Sequence, residues 1–193
     1  MKDKAKAGFI FMCGAIILLF GIMLAEFTFE NYSISNNWIS DLGANATLPK
    51  IIFNSSIILF GSSAIYSANI FRRVFKDRIF PLLIFLAGIG VIIVGIFNVK
   101  TIVWIHYSGA LMGFILGAIA ILYSTRLIYS PPLSYLWAIL GSVSLFSIAF
   151  LFICWPLDNN CFGFGYGTVE RLIVYPIIVW SIATGSYLIS NED

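Results

Sequence analysis

The sequence predicts an all-α integral membrane protein, a single bundle of six transmembrane helices. Three observations lead to that fold class. Hydrophobic residues make up 60% of the chain and charged residues only 10%, with a mean hydropathy of +0.97, whereas about a quarter of the residues of a soluble domain are charged. The apolar residues fall in long unbroken runs, not in the alternating segments of about ten residues that build a transmembrane barrel. The 193 residues, at about 20 apolar residues per span plus short connections, accommodate roughly six helices in one domain covering 1–193 and leave no room for a separate soluble domain.

The first run, 7–27, follows Lys2, Lys4 and Lys6. It imitates a signal peptide but is too long and lacks a small-x-small cleavage site, which predicts a retained span. The second, 51–71, carries Ser55, Ser62, Tyr66 and Asn69 on one stripe. This stripe is either a hydroxyl face bordering a cavity or a set of side chains bonding across helices and back to their own backbone. The third, 79–99, contains Gly88 and Gly95. In the fourth, 105–127, Gly109, Gly113 and Gly117 recur every four residues and stack on one face, which predicts close helix packing, with Gly88 and Gly95 as the opposing surface. The fifth and sixth runs are 133–155 and 169–189.

Two connections are long, 28–50 and 156–168, and both are rich in Asn, Gly and aromatic residues. In a serpentine of six spans they share one side of the membrane, as functional loops do. Basic residues stay on the cytoplasmic side. Eight of them (Lys2, Lys4, Lys6, Arg72, Arg73, Lys76, Arg78 and Arg126) lie on the side of the termini, against Lys50, Lys100 and Arg171 opposite. That places both termini in the cytoplasm of a multi-pass protein of the cell membrane and the two long loops outside. Glu26, Glu30, Asp41, Asp158 and Glu170 belong to the outer side, with Trp38, Trp104 and Trp155 suited to an interfacial belt. Asn31 and Asn45 head Asn-x-Ser/Thr matches on that side, where glycosylation is possible, while Asn54 lies too near the membrane. Cys154 and Cys161 flank the fifth connection; buried free thiols are the simpler expectation, and a disulfide requires an oxidising face.

The net charge of +2 and the absence of a basic, aromatic-interleaved stripe exclude nucleic acid as a partner and leave membrane lipids. The candidate ligand-binding residues are Asp41, Asn54, His106, Glu170 and Arg171. They are polar or ionisable groups in the outer loop or the first outer turns, where such groups are costly unless paired, solvated or functional. His106 shares the glycine stripe and points into the bundle. Arg171, about a hundred degrees from Glu170 on an ideal helix, is expected at the rim. Four of the five also have a structural reading: Asp41 orders a loop turn, His106 anchors an interface, Glu170 complements a helix dipole, and Arg171 offsets Glu170 or snorkels. His106, Asp41 and Glu170 are the metal ligands if there are any. With one histidine, no Cys-x-x-Cys, no nucleophile elbow and no phosphate-cradling loop, the sequence points to no cofactor and no catalytic set. The run from Phe162 to Gly167 reads as a turn or lid.

Ile39-Ser-Asp-Leu-Gly43, then Ile52-Phe-Asn54, Gly95-Ile-Phe97, His106-x-x-Gly-Ala110 with Phe114, and Val169-Glu-Arg-Leu172 with Tyr175-Pro176 and Trp180 resemble the archaeal and bacterial membrane family called domain of unknown function 998. The resemblance runs nearly the whole chain. More distantly, the Ile-Ser-Asp-x-Gly loop and the His-x-x-Gly-Ala-x-x-x-Phe helix resemble the Frag/DRAM/Sfk class, which implies a link to membrane lipids but brings no catalytic residue. The expected function is therefore binding or organising a lipid or other amphiphile at an outer polar pocket. The alternatives are an integral-membrane enzyme acting on a lipid headgroup, with His106 and a carboxylate as acid/base or metal ligands, and a transporter.

Overall fold

A computed structural model describes residues 2–44, 47–127, 130–157 and 160–191. Its six long helices are α1 (Asp3–Thr28), α2 (Thr47–Val74), α3 (Ile79–Ile96), α4 (Val103–Ser124), α5 (Pro131–Leu157) and α6 (Tyr166–Ser190), with short 3-10 turns at Ile39–Gly43 and Cys161–Gly163. All six are long and apolar enough to cross a membrane, and the protein is a multi-pass membrane bundle. Asn45, whose glycosylation the sequence allows, and the outer acid Asp158 lie outside the described residues.

The helix ends follow local chemistry. Helix α2 begins ahead of its apolar run because Pro49 fits a first helical turn, where no amide donor is needed. Helix α3 stops at Ile96 rather than 99 because Asn98 starts a turn, its side chain accepting from the Lys100 amide (3.0 Å) and its carbonyl from Thr101. At the other end Asp77 accepts from the Phe80 amide (2.8 Å) and the Tyr123 hydroxyl (2.5 Å), joining the start of α3 to the end of α4. Burial pulls the Asp77 carboxyl upward, but these bonds and the Ile79 amide outweigh it and hold the group below the usual carboxylate range.

The helices form a closed ring in chain order, each packing on the next and α6 returning to α1. Between apolar helices in lipid there is no hydrophobic drive to associate, so small residues that admit close backbone contact carry the seams. A Cβ on Gly61 of α2 would stand 2.8 Å from the Gly88 carbonyl of α3, and one on Gly90 of α3 would stand 2.6 Å from the Gly109 carbonyl of α4. The glycine faces therefore differ from the sequence expectation. Gly109 and Gly113 do face α3, but what they meet is Ile93, Val91 and the Gly90 backbone. Gly88 and Gly95 face α2, and Gly117 faces Ile177 of α6. The reason is periodic: Gly88 and Gly95 are seven residues apart and share a stripe, while Gly90 sits two residues on, across the helix.

On the hydroxyl stripe of α2, Asn69 follows the backbone-bonding reading. Ser55, Ser62, Tyr66 and Asn69 are exposed on the outside of the ring, Asn69 donating to its own helix at the Ile65 carbonyl (3.0 Å). The buried hydroxyls are Ser56, Ser63 and Ser67, one residue round the helix or on the next turn, against α1, where Ser67 donates to the Ala7 carbonyl (2.9 Å). The inner half of the bundle is filled by rings. Phe11 packs on Phe60, Phe71 and Trp180, and the Trp180 indole donates to Ser124 (3.0 Å), so its one polar atom is satisfied in the core.

Candidate functional site

The end of the bundle opposite the termini is organised by two neighbours on the first turns of α6, Glu170 and Arg171. They lie on different faces of the helix, and each holds a different half of the loop 29–44. Arg171 takes the first half. Its guanidinium pairs with Glu26 at the end of α1 and donates to Tyr32 Oη (2.8 Å), the Ile34 carbonyl (2.7 Å) and its own helix at Gly167 (2.8 Å). Tyr32 accepts from Arg171 and donates to the Trp38 carbonyl (2.9 Å), and burial pushes its phenol above the ordinary range although the guanidinium beside it pulls the other way. Arg171 is 6% exposed. The expectation of a rim position is thus corrected: the side chain does point away from Glu170, but into a buried ion pair.

Glu170 takes the second half. Its carboxylate accepts a hydrogen bond from the Ile39 amide, at the opening of the 3-10 turn Ile39–Gly43. Asp41 closes that turn from within by accepting from the Trp38 amide (3.0 Å). Asn54 on α2 pins the far end, donating to the Gly43 carbonyl (3.3 Å); a Cβ at Gly43 would lie 2.4 Å from Asn54 Oδ1 and would displace that amide. The backbone of the loop also rests on the glycine run before α6. Gly165 has φ +79°, and a Cβ on it would stand 2.2 Å from the Ser35 carbonyl, while one on Gly167 would stand 2.1 Å from the Asn37 carbonyl. Gly165 and Gly167 seat the first loop, while Phe162 and Phe164 are exposed and the run begins in the 3-10 turn Cys161–Gly163, in line with the turn reading.

Between this clasped loop and the outer halves of α4 and α5 lies a cavity of about 560 Å³. Ser40, Asp41, His106 and Glu170 form its polar end; Ala110, Leu111, Phe114, Ile148, Leu151 and Phe152 form its apolar wall. His106 Nδ1 is 2.7 Å from the Phe97 carbonyl. A carbonyl only accepts, so Nδ1 carries a proton, and in the neutral ring Nε2 is an acceptor. Trp38, Trp104, Tyr107 and Trp155 stand round the mouth, and no Lys or Arg lines the cavity among the described residues. Trp104 is 78% and Phe152 56% exposed, so the cavity wall reaches the outer surface of the bundle along the α4–α5 seam.

Asp41, His106 and Glu170 thus share one cavity. Asn54 does not join them; it lines a separate recess with Lys50 and Ser55 on the far side of the 3-10 turn. Among the described residues no three His, Cys, Asp or Glu side chains come close enough to hold a metal ion, so the three groups border the cavity without converging as ligands. Cys154 and Cys161 form a disulfide across the α5–α6 connection, contrary to the free-thiol expectation, because the 3-10 turn at Cys161–Gly163 brings their Cα atoms to 4.9 Å.

The family described as Protein of unknown function (DUF998) matches residues 12–187, from the first helix into the last turns of the sixth. The chain belongs to this family. Comparison with curated proteins and with solved structures gives no match.

In this DUF998 chain, sequence reasoning missed Glu26 and Tyr32 as partners of Arg171 and the aromatic group around the cavity. The only signal for Glu26 was its place at the end of an apolar run, where an acid needs a partner. The partner itself stands 145 residues away. For the aromatics, Trp38, Trp104 and Trp155 were read as an interfacial belt, and their grouping on one seam follows from α4 and α5 being neighbours in the ring.

Proposed function

We propose that the protein binds an amphiphile from the outer leaflet, its polar head at Asp41, His106 and Glu170 and its tail along Phe114, Ile148 and Leu151. The observation that carries this reading is the cavity itself. Its volume of about 560 Å³ lies in the range of ligand sites, about 300–1,000 Å³. It has one polar end and one apolar wall, and it opens on the lipid-facing seam of α4 and α5, where a chain already in the bilayer enters sideways.

The outward orientation, with both termini in the cytoplasm of a cell-membrane protein, is supported by the eight-to-three distribution of Lys and Arg. The Cys154–Cys161 disulfide, which suits an oxidising compartment, supports it independently. Single cysteines at Ser35 and Lys76, both exposed, test it in a Cys13→Ser background. An impermeant thiol reagent on intact cells should label Ser35→Cys and spare Lys76→Cys, and the reverse pattern overturns the orientation.

For the site, Ala110→Trp fills the cavity from its α4 wall. Mass spectrometry of lipids retained on purification should find an amphiphile near one per chain on the wild type and lose it in Ala110→Trp at unchanged helicity. Equal retention by both proteins would remove the cavity as the binding site.

A further inference from the structure

We propose that the outer cavity selects a positively charged ammonium head, so that its ligand is an amine-bearing amphiphile; this rests on the amphiphile reading above and specifies its head. Trp38 and Trp155 have centroids 5.8 Å apart with planes inclined at 52°, and Tyr107 and Trp155 are 5.6 Å apart at 79°. Tyr107 meets Trp155 edge to face and Trp38 also stacks on Tyr166 (5.0 Å, 10°), so these rings pack on one another, and together with the exposed Trp104 they line the cavity. The face of an aromatic ring is negative and attracts a cation within about 6 Å of its centroid, and several such faces around one space are how ammonium groups are held.

Formal charge agrees with the rings. Asp41 and Glu170 border the same space, near enough to act on each other electrostatically. A cation set between two carboxylates relieves their repulsion. No Lys or Arg lining the cavity supplies it among the described residues. The neighbouring cation, Arg171, lies on a different face of α6 and pairs with Glu26, and its charge acts on Glu170 from outside the cavity lining. Two acids and four ring systems without a resident cation complement a positive head, while a head that is only anionic meets like charge.

The test is competition. The wild type is reconstituted with an equimolar mixture of phosphatidylethanolamine, phosphatidylglycerol and a neutral glycosyl diacylglycerol with identical acyl chains, and bound lipid is read by native mass spectrometry. The amine lipid should be retained about tenfold over each of the others, a preference worth ~1.4 kcal/mol. Trp104→Leu, a change at an exposed ring outside the loop clasp, and Glu170→Gln, which keeps an acceptor for the Ile39 amide, should each cut that preference at least threefold while total bound lipid persists.

Equal retention of all three lipids, abolished by Ala110→Trp, would overturn the ammonium assignment and leave the amphiphile site standing. Glycolipid retained as well as the amine lipid would also overturn it, because the carboxylates would then be reading hydroxyl donors. Retention unaffected by Ala110→Trp would remove both readings together.

Discussion

The two flanks of the cap over the helix ends opposite the termini are built from the same kinds of residue and end in opposite states. On the Arg171 flank an acid, a phenol and a guanidinium close on one another: Glu26 pairs with Arg171, Arg171 with Tyr32, and Tyr32 with the Trp38 carbonyl. On the Glu170 flank two carboxylates, an imidazole and several indoles surround a cavity of about 560 Å³ lined by no cation among the described residues. Polar groups in a membrane protein are costly unless matched. Apart from Arg171 Nε, which is buried with no hydrogen-bond partner among the described residues, the first flank is matched from within the chain, and its groups serve the fold. The second is matched only in part, by backbone amides at Glu170 and Asp41, and its remaining capacity faces a space that something else can fill. Residue type alone does not separate a structural cluster from a site; the location of the complementary charge does.

The largest expected effect breaks the closed flank. Arg171→Met leaves the Glu26 carboxylate, 13% exposed, without its counter-ion and strips donors from Tyr32 and the Ile34 carbonyl. Removing one partner of a buried pair costs about 3–5 kcal/mol. The thermal midpoint in detergent should fall accordingly, and the outer loop should become accessible to protease. Glu26→Leu combined with Arg171→Met should recover a large part of the loss, since two apolar residues no longer strand a charge. A single mutant within about 1 kcal/mol of wild type would show that this flank is not held by the pair.

The sequence made the bundle legible because six apolar runs leave few alternatives in a bilayer, and it placed Asp41, His106 and Glu170 near one another because three outer turns on a ring of helices are close by construction. What it could not carry was azimuth beyond one helix. Arg171 was read correctly as turned away from Glu170, yet the angle said nothing of Glu26 on a helix a whole chain distant. Gly88 and Gly95 were on one stripe, but which neighbour that stripe met depended on the ring order, and it met α2. The serines of α2 show the same limit: Ser55 and Ser62 form as good a stripe as Ser56 and Ser63, and only packing against α1 selects the second. Asn54 was close in sequence to the right turn and pins its end, on the far side from the cavity.

The smallest expected effect applies one chemical change, acid to amide, to both flanks. Glu26→Gln keeps an oxygen for the guanidinium but removes the charge opposite it, so a buried cation is left under-compensated and unfolding should come earlier by a large part of the Arg171→Met loss. Asp41→Asn also keeps an oxygen to accept from the Trp38 amide, but the charge it removes faces the cavity and another carboxylate. With no internal partner lost and one like-charge repulsion relieved, stability should hold within about 0.5 kcal/mol or rise slightly. Midpoints of the two variants measured side by side in the same detergent decide it. If Asp41→Asn were as damaging as Glu26→Gln, the Asp41 charge would be committed to the fold, and the open flank would be a second structural cluster and not a site.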